Sequence, residues 1–159
     1  MRRGLVVLGV ALALLAPLWA VVAKERVLAH GRVVLLELGP RDPRSLLQGD
    51  YMALRYAIAV QVPEAAPRDG RLVVRDDGRG VATFARVHGG EPLADGERLL
   101  RYRVRGRTVR LGAESFLFEE GSADALSAAR FGELRVDEDG DAVLVGLRDA
   151  ELRPLGARP

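Results

Sequence analysis

Twenty consecutive residues, Gly4 to Ala23, carry no charge, and this run divides the chain. Wound as an α-helix it would be about 30 Å long, the thickness of a bilayer's hydrocarbon core. It therefore predicts an N-terminal transmembrane helix. Trp19 lies near its end, where an indole suits the membrane interface, and Gly9 and Pro17 are tolerated inside such helices. Arg2 and Arg3 precede the run, whereas Lys24 and Arg26 behind it are interrupted by Glu25. That asymmetry favours a cytoplasmic N-terminus, an inner-membrane location and a remainder exported to the periplasm. A cleaved signal peptide competes with this reading, because Val21-Val22-Ala23 places compatible residues before a cut. The length of the run favours the anchor. Residues 1–23 are accordingly read as the anchor and 24–159 as one exported domain, long enough to bury a core.

Composition narrows the function of that domain by exclusion. All 22 acidic residues follow Ala23 and are matched there by 22 of the 24 basic ones, so the exported part is formally neutral. Nucleic-acid binding needs a clustered positive footprint, and a basic pI alone does not provide one. Nucleic acid is therefore not an expected partner. Cysteine is absent, which rules out disulfides, thiolate catalysis and Cys metal sites.

The densest stretch is Asp42-Pro43-Arg44-Ser45-Leu46-Leu47-Gln48-Gly49-Asp50-Tyr51-Met52-Ala53-Leu54-Arg55-Tyr56. Pro43 disfavours helix at Asp42, Gly49 permits a tight turn, and strict alternation starts at Asp50. The alternation predicts one long strand, with Met52, Leu54, Tyr56, Ile58, Val60 and Val62 on its core face. Other strands are expected at Val27-Leu28 and over Val33 to Leu38. Arg71 to Arg75 and Val81 to Val87 should form a hairpin around Asp76-Asp77-Gly78-Arg79-Gly80, followed by a loop-bounded strand pair on either side of Gly106. In Leu100 to Arg105 an apolar face alternates with Arg101, Arg103 and Arg105, read as a solvated or ion-paired face that also has the chemistry to hold an anion. Ser122 to Phe131 is predicted as one short helix, capped by Ser122 and ended by Gly132. A last hairpin pairs Glu133 to Val136 with Ala142 to Leu147 across Asp139-Gly140, and a terminal strand is expected within Ala150 to Leu155. The fold class is thus mainly β, a small antiparallel barrel or folded-over sheet with one short helix.

Gly49-Asp50-Tyr51-x-x-Leu54-x-Tyr56, preceded by Asp42-Pro43-Arg44, resembles the signature of the GDYXXLXY protein family. The likeness extends to the N-terminal apolar segment and to Glu114-Ser115-Phe116-Leu117-Phe118-Glu119-Glu120-Gly121 before an Ala-rich stretch and a final hairpin. It implies a membrane-associated architecture and an association with multi-span membrane proteins encoded nearby, and it assigns no chemistry.

The residues themselves offer no catalytic set. Asp137-Glu138-Asp139-Gly140-Asp141 fails the EF-hand pattern, since Gly140 as the invariant glycine would put Arg135 in the first ligand position and Gly146 in the bidentate one. His30 and His88 stand alone, without a His-x-His or triad spacing. Ser45 to Asp50 is similar to the stretch entering Gly-Asp in type I signal peptidases, but the nucleophile position of that family falls on Arg41, and no Lys follows Lys24 to act as base. A signal-peptidase-like β fold without the Ser/Lys dyad remains an alternative. A membrane-surface hydrolase using Asp42, Asp50, His30 or His88 is another. No metal or cofactor is expected. The polar and aromatic candidates for binding are Asp42, Pro43, Arg44, Gly49, Asp50, Tyr51, Leu54 and Tyr56 in one cluster and Glu114, Phe116, Phe118 and Glu119 in a second. The reading with most support is a periplasmic accessory module that acts with a multi-span membrane protein.

Overall fold

A computed structural model describes residues 2–39, 51–117 and 126–155; of residues 2–8, 10, 11, 51 and 117 it describes only the backbone. The chain opens with helix α1 (Arg2–His30), and Gly31 leads directly into strand β1 (Arg32–Glu37). The remaining strands are β2 (Tyr51–Ala53), β3 (Asp69–Asp76), β4 (Ala82–Val87), β5 (Glu97–Arg105), β6 (Thr108–Arg110), β7 (Ser115–Leu117), β8 (Phe131–Val136), β9 (Ala142–Arg148) and β10 (Pro154–Leu155). They form a sheet of order β1-β8-β9-β10, a sheet of order β4-β3-β5-β6 and the pair β2-β7, with every ladder antiparallel.

The two large sheets curl toward each other around one core. Val34, Leu36, Leu134 and Val136 of the first meet Leu72, Val74, Leu100 and Tyr102 of the second, with Tyr56 and Ile58 packed among them. Backbone bonds stitch the sheets together, Leu35 N–H to the Gly80 carbonyl at 3.0 Å and Arg101 N–H to the Gly140 carbonyl at 2.8 Å. A smaller cluster of Met52, Leu54, Leu126, Ala129 and Leu147 lies beside the main core, and Leu38 and Leu144 touch both. The mainly β, folded-over architecture is thus observed.

Local signals place the hairpins where they were expected. Asp76 and Asp77 close the β3-β4 turn: Asp76 accepts from Gly78 and Gly80 N–H, and Asp77 from Arg79 and Val81 N–H. Gly78 and Gly80 supply the positive φ values that this turn needs. In the β8-β9 turn Asp137 accepts from Asp139 N–H at 3.1 Å and Asp141 N–H at 2.8 Å, as a hairpin turn does.

Four expectations are corrected. Val27 and Leu28 belong to α1, not to a strand, because the helix runs unbroken to His30 and Gly31 N–H still bonds the Val27 carbonyl at 2.8 Å. The long strand over Asp50 to Val62 stops at Ala53: Leu54 and Arg55 belong to no regular element, Tyr56 is extended and a 3-10 helix follows at Ala57–Gln61. Met52, Leu54, Tyr56 and Ile58 are buried as expected, but Val60 is 88% exposed, because the tighter helix turns it outward. The helix expected over Ser122 to Phe131 lies outside the described residues up to 125; Leu126 is helical, and Phe131 and Gly132 are strand residues paired with Glu37 and Leu36. Gly132 therefore ends no helix. The terminal strand shrinks to Pro154–Leu155, because Asp149 folds the preceding residues into a turn by accepting from Glu151 and Arg153 N–H. Among the described residues no helix is long and apolar enough to cross a membrane. From Leu12, where the continuous description of side chains begins, α1 reaches Lys24, Glu25 and Arg26 after twelve residues.

Helix α1 is also part of the domain at its C-terminal end. Val27 is 3% exposed, Arg135 donates to the Gly31 carbonyl at 2.9 Å, and Lys24 Nζ donates to the Ala142 carbonyl at 3.4 Å. Burying a valine stabilises by about 1.5–3 kcal/mol, enough to hold the last turns of the helix on the sheet.

Candidate functional site

The two sequence clusters meet. Strand β2 pairs with β7 so that Tyr51 faces Leu117, Met52 faces Phe116 and Ala53 faces Ser115. The pairing continues past the strands: Leu54 N–H donates to the Glu114 carbonyl at 2.7 Å, and the Tyr56 hydroxyl donates to the Ala113 carbonyl at 2.5 Å. Phe116, half-buried, packs with Met52 and Leu54 on the smaller cluster. Glu114 turns its carboxylate back on its own loop, where it accepts from Leu111 and Gly112 N–H.

Tyr56 is the hub of this junction. Its backbone bridges to Leu38, and the neighbouring Arg55 carbonyl accepts from Gly39 N–H at 2.7 Å. Its ring lies against Gly132, where an added Cβ would come within 3.0 Å of Tyr56 Cε1 and 3.3 Å of its hydroxyl. Any larger residue there would have to push the ring aside by a few tenths of an ångström. Burial, and secondarily the Glu114 carboxylate, push the Tyr56 hydroxyl well above its ordinary pKa of 10.0. It stays protonated at neutral pH and acts as a donor, so it is unsuited to serve as a base.

Leu54, Tyr56, Glu114 and Phe116 therefore hold the fold together. Asp42, Pro43, Arg44, Gly49, Asp50, Phe118 and Glu119 lie outside the described residues, as does the side chain of Tyr51. The chain enters β2 and leaves β7 at the same end of their ladder, the end where Tyr51 and Leu117 are partners.

No group of three or more His, Cys, Asp or Glu able to hold a metal occurs among the described residues. His30 ends α1 in an exposed position. His88 follows β4, and its Nδ1 lies 3.9 Å from Glu91, too far for a hydrogen bond. The Arg face of β5 is ion-paired in part, Arg101 with Asp141 at 3.1 Å and Arg103 with Asp69 at 3.2 Å.

Three buried carboxylates escaped sequence reasoning. Glu97 accepts from Arg86 at 2.7 Å, Arg75 at 2.9 Å and Ala94 N–H at 3.0 Å. The Arg86 hydrogen bond, then that of Ala94, then Arg75, outweigh burial and hold its pKa at about 2. Glu133 pairs with Arg148 at 2.9 Å, and Asp149 with Arg153 at 2.7 Å. Asp149 is the one with a local signal, its arginine four residues away; the partners of Glu97 and Glu133 emerge only once strand register is known.

No curated protein and no solved structure matches this chain. A family match covers residues 13–147, spanning the second half of the uncharged N-terminal run, both clusters and the final hairpin. The β2-β7 junction built on Leu54, Tyr56 and Glu114 lies inside that match, and the chain belongs to the GDYXXLXY protein family.

Proposed function

We propose that this protein is a membrane-anchored accessory module whose β domain lies on the periplasmic side and acts with a multi-span membrane protein. The observation that carries the reading is the surface of α1. Leu12, Leu14, Leu15, Leu18, Trp19, Val21 and Val22 are all exposed on one half of the helix, Trp19 by 75%, and the exposed Ala13, Ala16, Pro17 and Ala20 make the other half apolar as well. A helix apolar all round is a buried helix, and the domain buries only its last turns. Extended back to Gly4 the uncharged run has the length a bilayer requires. The continuity of α1 through Ala23 favours a retained anchor over a cleaved signal, because the first residues after any cut are docked through Lys24 and Val27. The charge asymmetry around the run supports export of the domain.

The accessory role is supported by the structural use of the described signature residues, which leaves Leu54 and Tyr56 committed to the core. Asp42, Arg44 and Asp50 are the polar signature residues left to serve the partner, and they adjoin β2 in sequence. An alkaline phosphatase fused to the C-terminus tests the topology. An active phosphatase in a membrane-retained product supports the reading. An inactive one, or a soluble product beginning at Lys24, overturns the orientation or the anchor respectively.

A further inference from the structure

The outer face of the sheet β4-β3-β5-β6 carries positive charge that folding leaves only partly neutralised. Side chains alternate along a strand, so with Leu100 and Tyr102 in the core, Arg101, Arg103 and Arg105 fall on the other face of β5. Arg101 is satisfied by Asp141, and Arg71 on the neighbouring strand donates to the Asp139 carbonyl at 2.7 Å. Farther along β5 the balance changes. Arg103 stands directly opposite Arg110 across the β5-β6 ladder, with Arg105 two residues on. Like charges in opposed positions repel. Among the described residues the one carboxylate paired with any of these three is Asp69, itself exposed. Asp69, Gly70, Arg71, Arg101, Arg103 and Arg105 line a surface groove.

The same face adjoins the root of α1. Lys24 touches the Ala142 carbonyl, the preceding Asp141 holds the Arg101 side chain, and the Gly140 carbonyl accepts from Arg101 N–H. Lys24 is the first charge after the apolar run, so on the membrane-anchored reading, on which this step rests, it lies at the bilayer surface. We infer that Arg103, Arg105 and Arg110 form a docking surface for the phosphates of anionic lipid headgroups in the membrane that holds α1. The guanidinium fork suits phosphate oxygens, and the opposed pair Arg103 and Arg110, which has the single exposed carboxylate of Asp69 among the described residues, gains further counter-charge. Near an anionic leaflet each such residue favours the docked state by about fivefold.

Because the chain has no cysteine and a single tryptophan, two reporters separate the anchor from the docking. The full-length protein carrying Thr108→Cys, an exposed position of β6, is labelled with an environment-sensitive fluorophore and placed in nanodiscs of phosphatidylcholine with or without phosphatidylglycerol. Quenching of Trp19 by brominated lipid reports the anchor in either disc. The expected result is Trp19 quenched in both, and a label shifted to an apolar environment only with phosphatidylglycerol. That shift should vanish at high salt and weaken about fivefold for each of Arg103→Gln, Arg105→Gln and Arg110→Gln. A quenched Trp19 with a label indifferent to lipid charge overturns this inference and leaves the anchor standing. An unquenched Trp19 overturns both. A label that answers to polyglutamate but not to phosphatidylglycerol overturns the lipid assignment in favour of an acidic protein segment.

Discussion

Removing only the Tyr56 hydroxyl tests what the signature's last residue is for. In Tyr56→Phe the ring stays against Gly132 and the buried area is nearly unchanged, so the loss is confined to one hydrogen bond of 2.5 Å to the Ala113 carbonyl. A typical bond of this kind is worth about 0.5–1.5 kcal/mol net, and a buried acceptor left without a donor costs about 1–3 kcal/mol. Ala113 is 5% exposed, which leaves water little access to that carbonyl, so the expected loss is about 1–3 kcal/mol. Tyr102→Phe is the matched control: its hydroxyl bonds the Pro67 carbonyl at 3.0 Å in a part-buried loop, where solvent can replace it, and about 0.5–1.5 kcal/mol is expected. Urea unfolding of the full chain in mild detergent, followed by far-ultraviolet circular dichroism, reads the difference. With a slope of about 1–3 kcal/mol per molar, the Tyr56 variant should move its midpoint down by roughly 1 M with the slope unchanged. A midpoint that does not move, or moves less than that of Tyr102→Phe, would refute the claim that this tyrosine is a structural anchor.

Other outcomes follow from the same packing. Leu54→Ala should cost about 2–5 kcal/mol, whereas Val60→Ala at an exposed position should stay within about 0.5 kcal/mol; equal effects in the same urea assay would restore the continuous strand. Gly132→Ala should destabilise by about 1–3 kcal/mol, because its methyl meets the Tyr56 ring and Leu144 at 3.0 and 3.3 Å, and a neutral result would mean that the ring has room to shift. Glu97 has a folded pKa of about 2 against an ordinary 4.5, so its contribution is present above pH 4.5 and is lost as the pH falls from there toward 2. Unfolding midpoints across that range should fall less steeply in Glu97→Gln. Tyr56 has the opposite sense: its raised pKa makes its contribution complete below pH 10.0 and lost as the pH climbs above it, visible as a delayed tyrosinate absorbance that Tyr56→Phe removes.

Where the sequence could be read, the physics was local. The turns at Asp76 to Gly80 and Asp137 to Asp141 were legible because their aspartates bond backbone a few residues away. Alternation correctly placed Met52, Leu54, Tyr56 and Ile58 in the core, yet it did not distinguish a strand from a 3-10 helix, since both bury Ile58 and only Val60 separates them. Val27 and Leu28 read as strand because two adjacent apolar residues, one of them the β-branched Val27, suit a sheet. A helix already propagating from the apolar run overrides that weak preference. Gly132 reads as a helix end in the sequence, whereas it lies in β8 against the Tyr56 ring, contributed by a segment 76 residues earlier. The meeting of Leu54 and Tyr56 with Ala113 and Glu114 is equally non-local, as are the arginine partners of Glu97.

The central claim, a module that serves a multi-span membrane partner through the polar residues of its signature, is tested most directly by affinity purification of the full-length chain from native membranes in mild detergent, alongside Asp50→Asn. The account predicts a specific multi-span protein retained in stable proportion by the native chain and lost from a variant whose urea midpoint is unchanged. It would be contradicted by an Asp50→Asn protein that keeps the same partner, or by a native chain that purifies alone and turns over a substrate with activity dependent on Asp50.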